Sequence, residues 1–172
     1  RKGQGALANY FIADERYVYI LPEEISYNEG ALIEPVAVAV HAVKRAKVTL
    51  GDRVAIIGAG AIGLLITALA KRAGATEIVV ADLDDFRLKM AKEFGATRII
   101  NSSRYSLETE ISELTNNMGI DKTFECVGLE RTLVQAMSLL RKGGLATVIG
   151  IFEQPNVSIP ASLFVSKEIT VQ

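Results

Sequence analysis

VAIIGAGAIG, running from Val54 to Gly63, is an apolar run that enters three glycines in G-x-G-x-x-G spacing. A long apolar segment with helical character follows from Ala61 to Ala73, and a second apolar run, Ile78 to Ala81, leads to Asp82, which stands 19 residues past Gly63. Strand, glycine turn, helix, strand and acid in this order are the parts of a dinucleotide grip. Gly58 permits a tight turn out of the strand. Gly60 has no side chain, so a pyrophosphate can touch the backbone. Gly63 lets the helix lie close to the sheet. The helix N-terminus offers free N–H groups and a positive dipole end to phosphate.

Outward from this stretch, strands and helices alternate. Strands are expected at 53–58, 77–82, 98–101, 122–127, 145–150 and 168–171, and helices at 61–73, 85–94, 105–117 and 130–141. Near-continuous apolar strands between helices predict an α/β fold: a doubly wound, Rossmann-type parallel sheet covered on both faces. AKRAGATEI at 70–78 echoes AKEFGATRI at 91–99, which suggests two helix–glycine–strand junctions with Gly74 and Gly95 left-handed just past each helix. Upstream, Glu34 to Ala46 reads as a helix so apolar that it should be buried. Residues 6–20 read as two short strands around Asp14-Glu15-Arg16, and Ser26 with Glu29 as the cap of a short helix.

The 172 residues, 49% hydrophobic and 23% charged, suffice for one domain plus a fragment. A net charge of −1 gives no reason to expect nucleic acid or a membrane surface as partner. The basic cluster Lys44, Arg45, Lys47 suits a solvated helix end. Cys126 is the one cysteine, so neither an internal disulfide nor a four-cysteine zinc site can form, and low cysteine use fits a cytoplasmic location. No apolar run is long enough to span a bilayer, and no signal peptide is visible. The start at Arg1 suggests a piece of a longer polypeptide.

Asp82 at a strand end can accept hydrogen bonds from both adenosine-ribose hydroxyls and would repel a 2′-phosphate. The next residue, Leu83, offers no cation to attract one, so NAD is favoured over NADP. Asp84 and Asp85 read as caps of the next helix, and Arg87 could lean over the adenosine. Cys126, Val127 and Gly128 follow one strand and Ile149, Gly150 and Ile151 end another, so both groups should line the crevice at the carboxyl ends of the strands. Ile149–Ile151 would lie near the nicotinamide half. Cys126 reads as a buried wall residue, since no histidine lies near it in sequence. His41 reads as structural. Glu34, with Pro35, reads as a helix start.

Taken in order, IEPVAVAVHAV (33–43), GDRVAIIGAGAIGLL (51–65), VVADLDDFRL (79–88), FECVG (124–128), LRKGG (140–144) and IGIF (149–152) resemble the zinc-dependent medium-chain dehydrogenases, most of all the sorbitol (polyol) branch. The resemblance covers the chain, but members are about twice as long. It implies that residues 1–33 are the tail of a β-rich, GroES-like catalytic domain and 34–172 the NAD-binding domain. It assigns Gly58, Gly60, Ile62 and Gly63 to the pyrophosphate, Asp82 and Arg87 to the adenosine ribose, and Ile149, Gly150 and Ile151 to the nicotinamide end. Glu34 gains a role near the catalytic zinc. The family's zinc ligands lie upstream and none is present here, so this chain should bind cofactor without turning over substrate. The full-length parent would use zinc and NAD to oxidise a polyol or small secondary alcohol. The segment PNVSIP (155–160) would contribute to a homodimer or homotetramer contact. Competing readings are a non-catalytic dinucleotide-binding module, a zinc-free quinone or enoyl reductase, and a methyltransferase. The Asp82 and Glu34-Pro35 positions argue against the reductase, and the full glycine pattern against the methyltransferase.

Overall fold

The structure, a computed structural model, describes residues 7–172. Contacts divide the chain between Ile33 and Glu34. Before that boundary, residues 7–26 hold no strand, only a single 3-10 turn over Glu15–Tyr17. The two strands expected at 6–20 are therefore corrected for 7–20, and Ala6 lies outside the described residues. Tyr10, Ile12, Tyr17, Tyr19 and Ile20 are all exposed. β-type residues become a strand only beside a partner, and among the described residues this segment has none.

Helix α1 spans Tyr27–Ala46. Its start agrees with the Ser26–Glu29 reading: the Glu29 carboxylate accepts from the Ser26 N–H at 2.9 Å and from its hydroxyl at 2.7 Å. One helix thus replaces the two expected, and Pro35 lies inside it rather than opening it. Only Ala39, Ala42, Val43 and Ala46, a single helical stripe, are buried. His41 is exposed on the opposite side, so its reading as a satisfied interior histidine is corrected.

From Arg53 the chain builds a six-stranded sheet: β1 Arg53–Ile57, β2 Glu77–Asp82, β3 Arg98–Asn101, β4 Ile120–Glu125, β5 Leu140–Val148 and β6 Thr170–Val171. The spatial order is β3-β2-β1-β4-β5-β6 and every pairing is parallel. The connections carry α2 (Ala61–Arg72), α3 (Asp85–Phe94), α4 (Leu107–Thr115), α5 (Glu130–Ser138) and the short α6 (Ser162–Ser166). Along β1, Val54 and Ile56 pack on one side with α1, α2 and α3 residues, while Ala55 and Ile57 pack on the other with Leu107, Ile111 and Ala136. The period-2 alternation of side chains explains why a strand buried on both faces must be apolar throughout.

Element ends follow local chemistry. Asp84 caps α3 by accepting from Phe86 N–H at 2.7 Å, and Gly95 closes it at φ +112°. Gly74, at φ +98°, takes the equivalent left-handed place after α2. The helix expected at 105–117 is shorter, because Ser106 caps α4 and Asn116 and Asn117 turn left-handed at φ 50° and 63°. Residues 140–141, expected as helix, belong to β5, since Leu140 pairs with Ile120 before a register shift in the ladder. The segment 155–160 contains no strand. Among the described residues, no helix is long and apolar enough to cross a membrane.

Candidate functional site

β1 lies between β2 and β4, with Ile57 level with Ala81 on one side and Glu125 on the other. The sheet switches direction of winding at this place, so a crevice opens beyond the carboxyl ends of β1 and β4. The turn leaving β1 is held tightly. Gly58 sits at φ +99°, its N–H bonds the Ala81 carbonyl at 2.8 Å, and a Cβ there would meet Val127 Cγ2 at 2.9 Å. A Cβ on Gly63 would lie 1.9 Å from the Gly58 carbonyl oxygen. Those two positions require glycine for the protein's own packing.

Gly60 differs. Its φ of −71° suits any residue, and a Cβ there would meet nothing within 4 Å. As the residue preceding α2, it provides no side-chain cap for the first-turn N–H groups of that helix.

Asp82 ends β2 with a side chain only 10% exposed. Its Oδ2 accepts from the Ala59 N–H at 2.7 Å, and its Oδ1 accepts from the N–H groups of Leu83 (2.8 Å) and Asp84 (3.0 Å). Arg87 Nη1 stands 4.0 Å from Oδ2. The acid therefore ties the glycine turn to the end of β2 while it borders the crevice.

A cavity of about 630 Å³ joins these groups, with Gly58, Gly60, Asp82, Arg87, Cys126 and Val127 on its wall. Other expected residues lie elsewhere. Ile62 packs into the core and Gly63 is buried beneath the start of α2. Gly128 is buried against the Ile151 backbone, and Ile149–Ile151 leave β5 outside the wall of this cavity. Glu34 is exposed on α1 and takes no part in it. Strands β4 and β5 end two residues earlier than their expected limits. The Ile149 and Gly150 N–H groups both bond the Glu125 carbonyl, and those of Val127 and Gly128 both bond the Glu125 carboxylate, which ends the ladder.

Several wall residues escaped the sequence reading. Ser102 follows β3, where the rule of strand carboxyl ends could have found it. Arg131 and Gln135, one helical turn apart on α5, reach the cavity only because α5 folds back over β4. Leu83 adds an exposed apolar wall beside Asp82. Glu125 is fully buried, and its signal was a carboxylate within the apolar run of FECVG.

Burial pushes the Cys126 thiol up to about 12, and the adjacent Glu125 carboxylate adds to the shift. That environment suits a wall residue and opposes a nucleophile. Among the described residues, no three His, Cys, Asp or Glu side chains gather as a metal site would require. The described residues therefore do not fit a zinc ion.

The sheet order and the crevice at its carboxyl edge define a Rossmann-type α/β domain. The sequence pattern described as zinc-binding dehydrogenase matches residues 61–172. Sorbitol dehydrogenase of Bacillus subtilis (strain 168) is 36% identical over 167 residues, covering 97% of this chain and 47% of that protein. The crystal structure of 2R,3R-butanediol dehydrogenase from Bacillus subtilis superposes with a TM-score of 0.83 at 39% identity, covering 92% of this chain and 45% of that one. A zinc-binding dehydrogenase from Sinorhizobium meliloti 1021, solved bound to NADP, superposes with a TM-score of 0.80 at 29% identity, covering 87% and 45%. The chain belongs to the zinc-dependent medium-chain dehydrogenase family. It spans about half the length of the curated relatives it matches.

Proposed function

We propose that residues 34–172 are the NAD-binding domain of an alcohol or polyol dehydrogenase. The observation that carries this reading is Gly60, a glycine with no steric neighbour at the mouth of a cavity that also holds Asp82. The protein's own packing does not require glycine there, but a pyrophosphate pressed against the backbone would. Gly58 and Gly60 with the first turn of α2 would hold the pyrophosphate, and Asp82 with Arg87 the adenosine ribose. Leu83 would offer apolar surface to the adenine, and Val127 with Ile149–Ile151 would approach the nicotinamide. Bound NAD supplies a hydride acceptor. This chain grips, orients and shields it from water.

Asp82 supports NAD over NADP, since its carboxylate would repel a 2′-phosphate and Leu83 offers no compensating cation. The relative solved with NADP makes NADPH the necessary competitor. In the whole protein, the alcohol would be a polyol or small secondary alcohol, as the sorbitol and butanediol enzymes among its relatives suggest. Zinc ligands, with any role for Glu34 beside the metal, would depend on segments outside these 172 residues. The exposed tyrosines and isoleucines of residues 10–20 suit the tail of a catalytic domain that such segments would cover. The whole protein would assemble as a homodimer or homotetramer.

Titration with NADH, NADPH and ADP-ribose, following nicotinamide fluorescence for the first two and calorimetry for the third, tests the reading. NADH and ADP-ribose should bind and NADPH should bind more weakly. Binding of none of the three would overturn it, and tighter NADPH would overturn the ribose argument. The chain alone should show no zinc-dependent alcohol oxidation.

A further inference from the structure

Glu125 is a fully buried carboxylate at the end of β4. Its Oε1 accepts three hydrogen bonds, from the N–H groups of Val127 and Gly128 at 2.9 Å each and from the Thr132 hydroxyl at 2.7 Å. Its Oε2 is also buried and finds no donor among the described residues. A buried, half-satisfied carboxylate is an expensive way to hold a turn, and such groups in native folds call for an explanation.

The explanation lies in what else Glu125 holds. Its main-chain carbonyl accepts from Ile149 N–H at 2.8 Å and Gly150 N–H at 3.0 Å. The two segments that it grips touch backbone to backbone. A Cβ on Gly150 would lie 2.1 Å from Gly128 N and 2.5 Å from Glu125 Oε2, and one on Gly128 would lie 2.3 Å from the Ile151 carbonyl oxygen. Segments 126–129 and 149–151 therefore pack backbone to backbone, with Glu125 as their shared anchor. Val127, on the first segment, also lines the cavity with Asp82.

We propose that Glu125 is a positioning residue for the nicotinamide half of the cofactor: through its carboxylate and its carbonyl, it sets Ile149–Ile151 against the cavity wall at Val127. This rests on the reading of the crevice as an NAD site. ADP-ribose uses the glycine turn and Asp82 but has no nicotinamide, so it reports on that reading separately. Glu125→Ala leaves the Val127 and Gly128 N–H groups without an acceptor, while the Thr132 hydroxyl keeps only the Leu129 carbonyl at 2.8 Å. It should weaken NADH by about tenfold or more, the effect of lost hydrogen bonds to a charged group. The gain in nicotinamide fluorescence should disappear, and ADP-ribose should stay within about threefold, below the effect of one full hydrogen bond. Glu125→Gln keeps an acceptor at Oε1 and should restore NADH to within about threefold of wild type by the same reasoning.

Equal weakening of NADH and ADP-ribose by Glu125→Ala, unchanged NADH binding, or a wild-type chain whose NADH gains no fluorescence would overturn the proposal. Should Glu125→Ala lose its cooperative melt, Thr132→Val decides. It removes one donor at the edge of the site and must weaken NADH selectively, by about threefold. Equal weakening of the two ligands or no weakening overturns the proposal there too. Failure of the wild-type chain to bind ADP-ribose removes the cofactor-site reading itself, and this inference with it.

Discussion

Alanine at Gly63 should damage the fold, whereas alanine at Gly60 should spare it and harm only ligand binding. In Gly63→Ala the new Cβ would lie 1.9 Å from the Gly58 carbonyl oxygen, where ordinary contact begins at 3.4 Å, so the start of α2 and the turn must part by about 1.5 Å. Neither side yields easily. The turn is pinned by Gly58 N–H on Ala81 and Ala59 N–H on Asp82, and α2 is anchored by the fully buried Ile66 and Ala70. Overpacking costs about 1–3 kcal/mol, and two backbone segments place this clash at the upper end. Alanine returns about 1 kcal/mol of helix propensity. The net loss of about 2 kcal/mol should lower the melting temperature by roughly 4–8 °C for a chain of this size. At Gly60, with φ −71° and no neighbour within 4 Å, the stability change should stay below about 1 kcal/mol, the loss of a glycine helix cap. NADH affinity should fall by at least about tenfold as the methyl group displaces the pyrophosphate, a loss of about 1.4 kcal/mol. Thermal melts followed by circular dichroism, together with NADH titrations, read both effects. A Gly63→Ala chain that melts like wild type, or a Gly60→Ala chain that binds NADH unchanged, would refute the steric reasoning.

Asp82→Ala removes the acceptor of three N–H groups as well as the ribose partner. It should weaken NADH by about tenfold, about the worth of one such hydrogen bond, and narrow the gap to NADPH by that loss rather than by any NADPH gain. Cys126, with its thiol pushed up to about 12, should resist iodoacetamide at pH 8 and react faster as pH rises; complete labelling within minutes at pH 8 would contradict the burial argument. Partial burial raises the Asp121 carboxyl, but the hydrogen bonds from Arg141 and the Arg53 N–H, with the charges of both arginines, outweigh it and hold the carboxyl below its usual range. A depressed carboxyl adds stability that is complete above its unfolded value of about 4 and fades as pH falls through the lower folded value. The stability difference between wild type and Asp121→Asn, read by urea melts, should therefore shrink below about pH 4, and a difference that grows there would contradict the ion pair.

Helices 85–94 and 61–72 and strands 77–82 and 98–101 were legible because their signals are local: apolar periodicity, an Asp84 cap, and glycines at 74 and 95 that no other residue suits. Gly58, Gly60, Asp82 and Arg87 were legible for the same reason, being set by spacing along one βαβ unit. What the sequence hid depends on distant neighbours. Tyr10 to Ile20 has strand-forming residues without a strand to join among the described residues. His41 reads as interior until the burial stripe of Ala39, Ala42, Val43 and Ala46 fixes which side of α1 faces the core. Ser102, Arg131 and Gln135 come from separate elements, and only the tertiary fold brings them to one cavity. β4 ends early because the Glu125 carboxylate takes the Val127 and Gly128 amides, and β5 ends early because the Ile149 and Gly150 amides both turn onto the Glu125 carbonyl.

Pro35 plays opposite parts in two versions of the chain. In the present one it lacks the N–H that the Ala31 carbonyl needs, so α1 carries a broken hydrogen-bond rung, and every buried residue of the helix lies beyond it. Amide exchange should accordingly be fast from Tyr27 to Glu34 and slow only past the proline. In a chain cut at the Ile33–Glu34 boundary, the same residue would fall in the first helical turn, where its fixed φ favours the helix and its missing N–H takes nothing away. The proline that weakens the longer helix would thus start the shorter one, and a protease that trims to this point would leave the entire sheet intact behind a well-formed first turn.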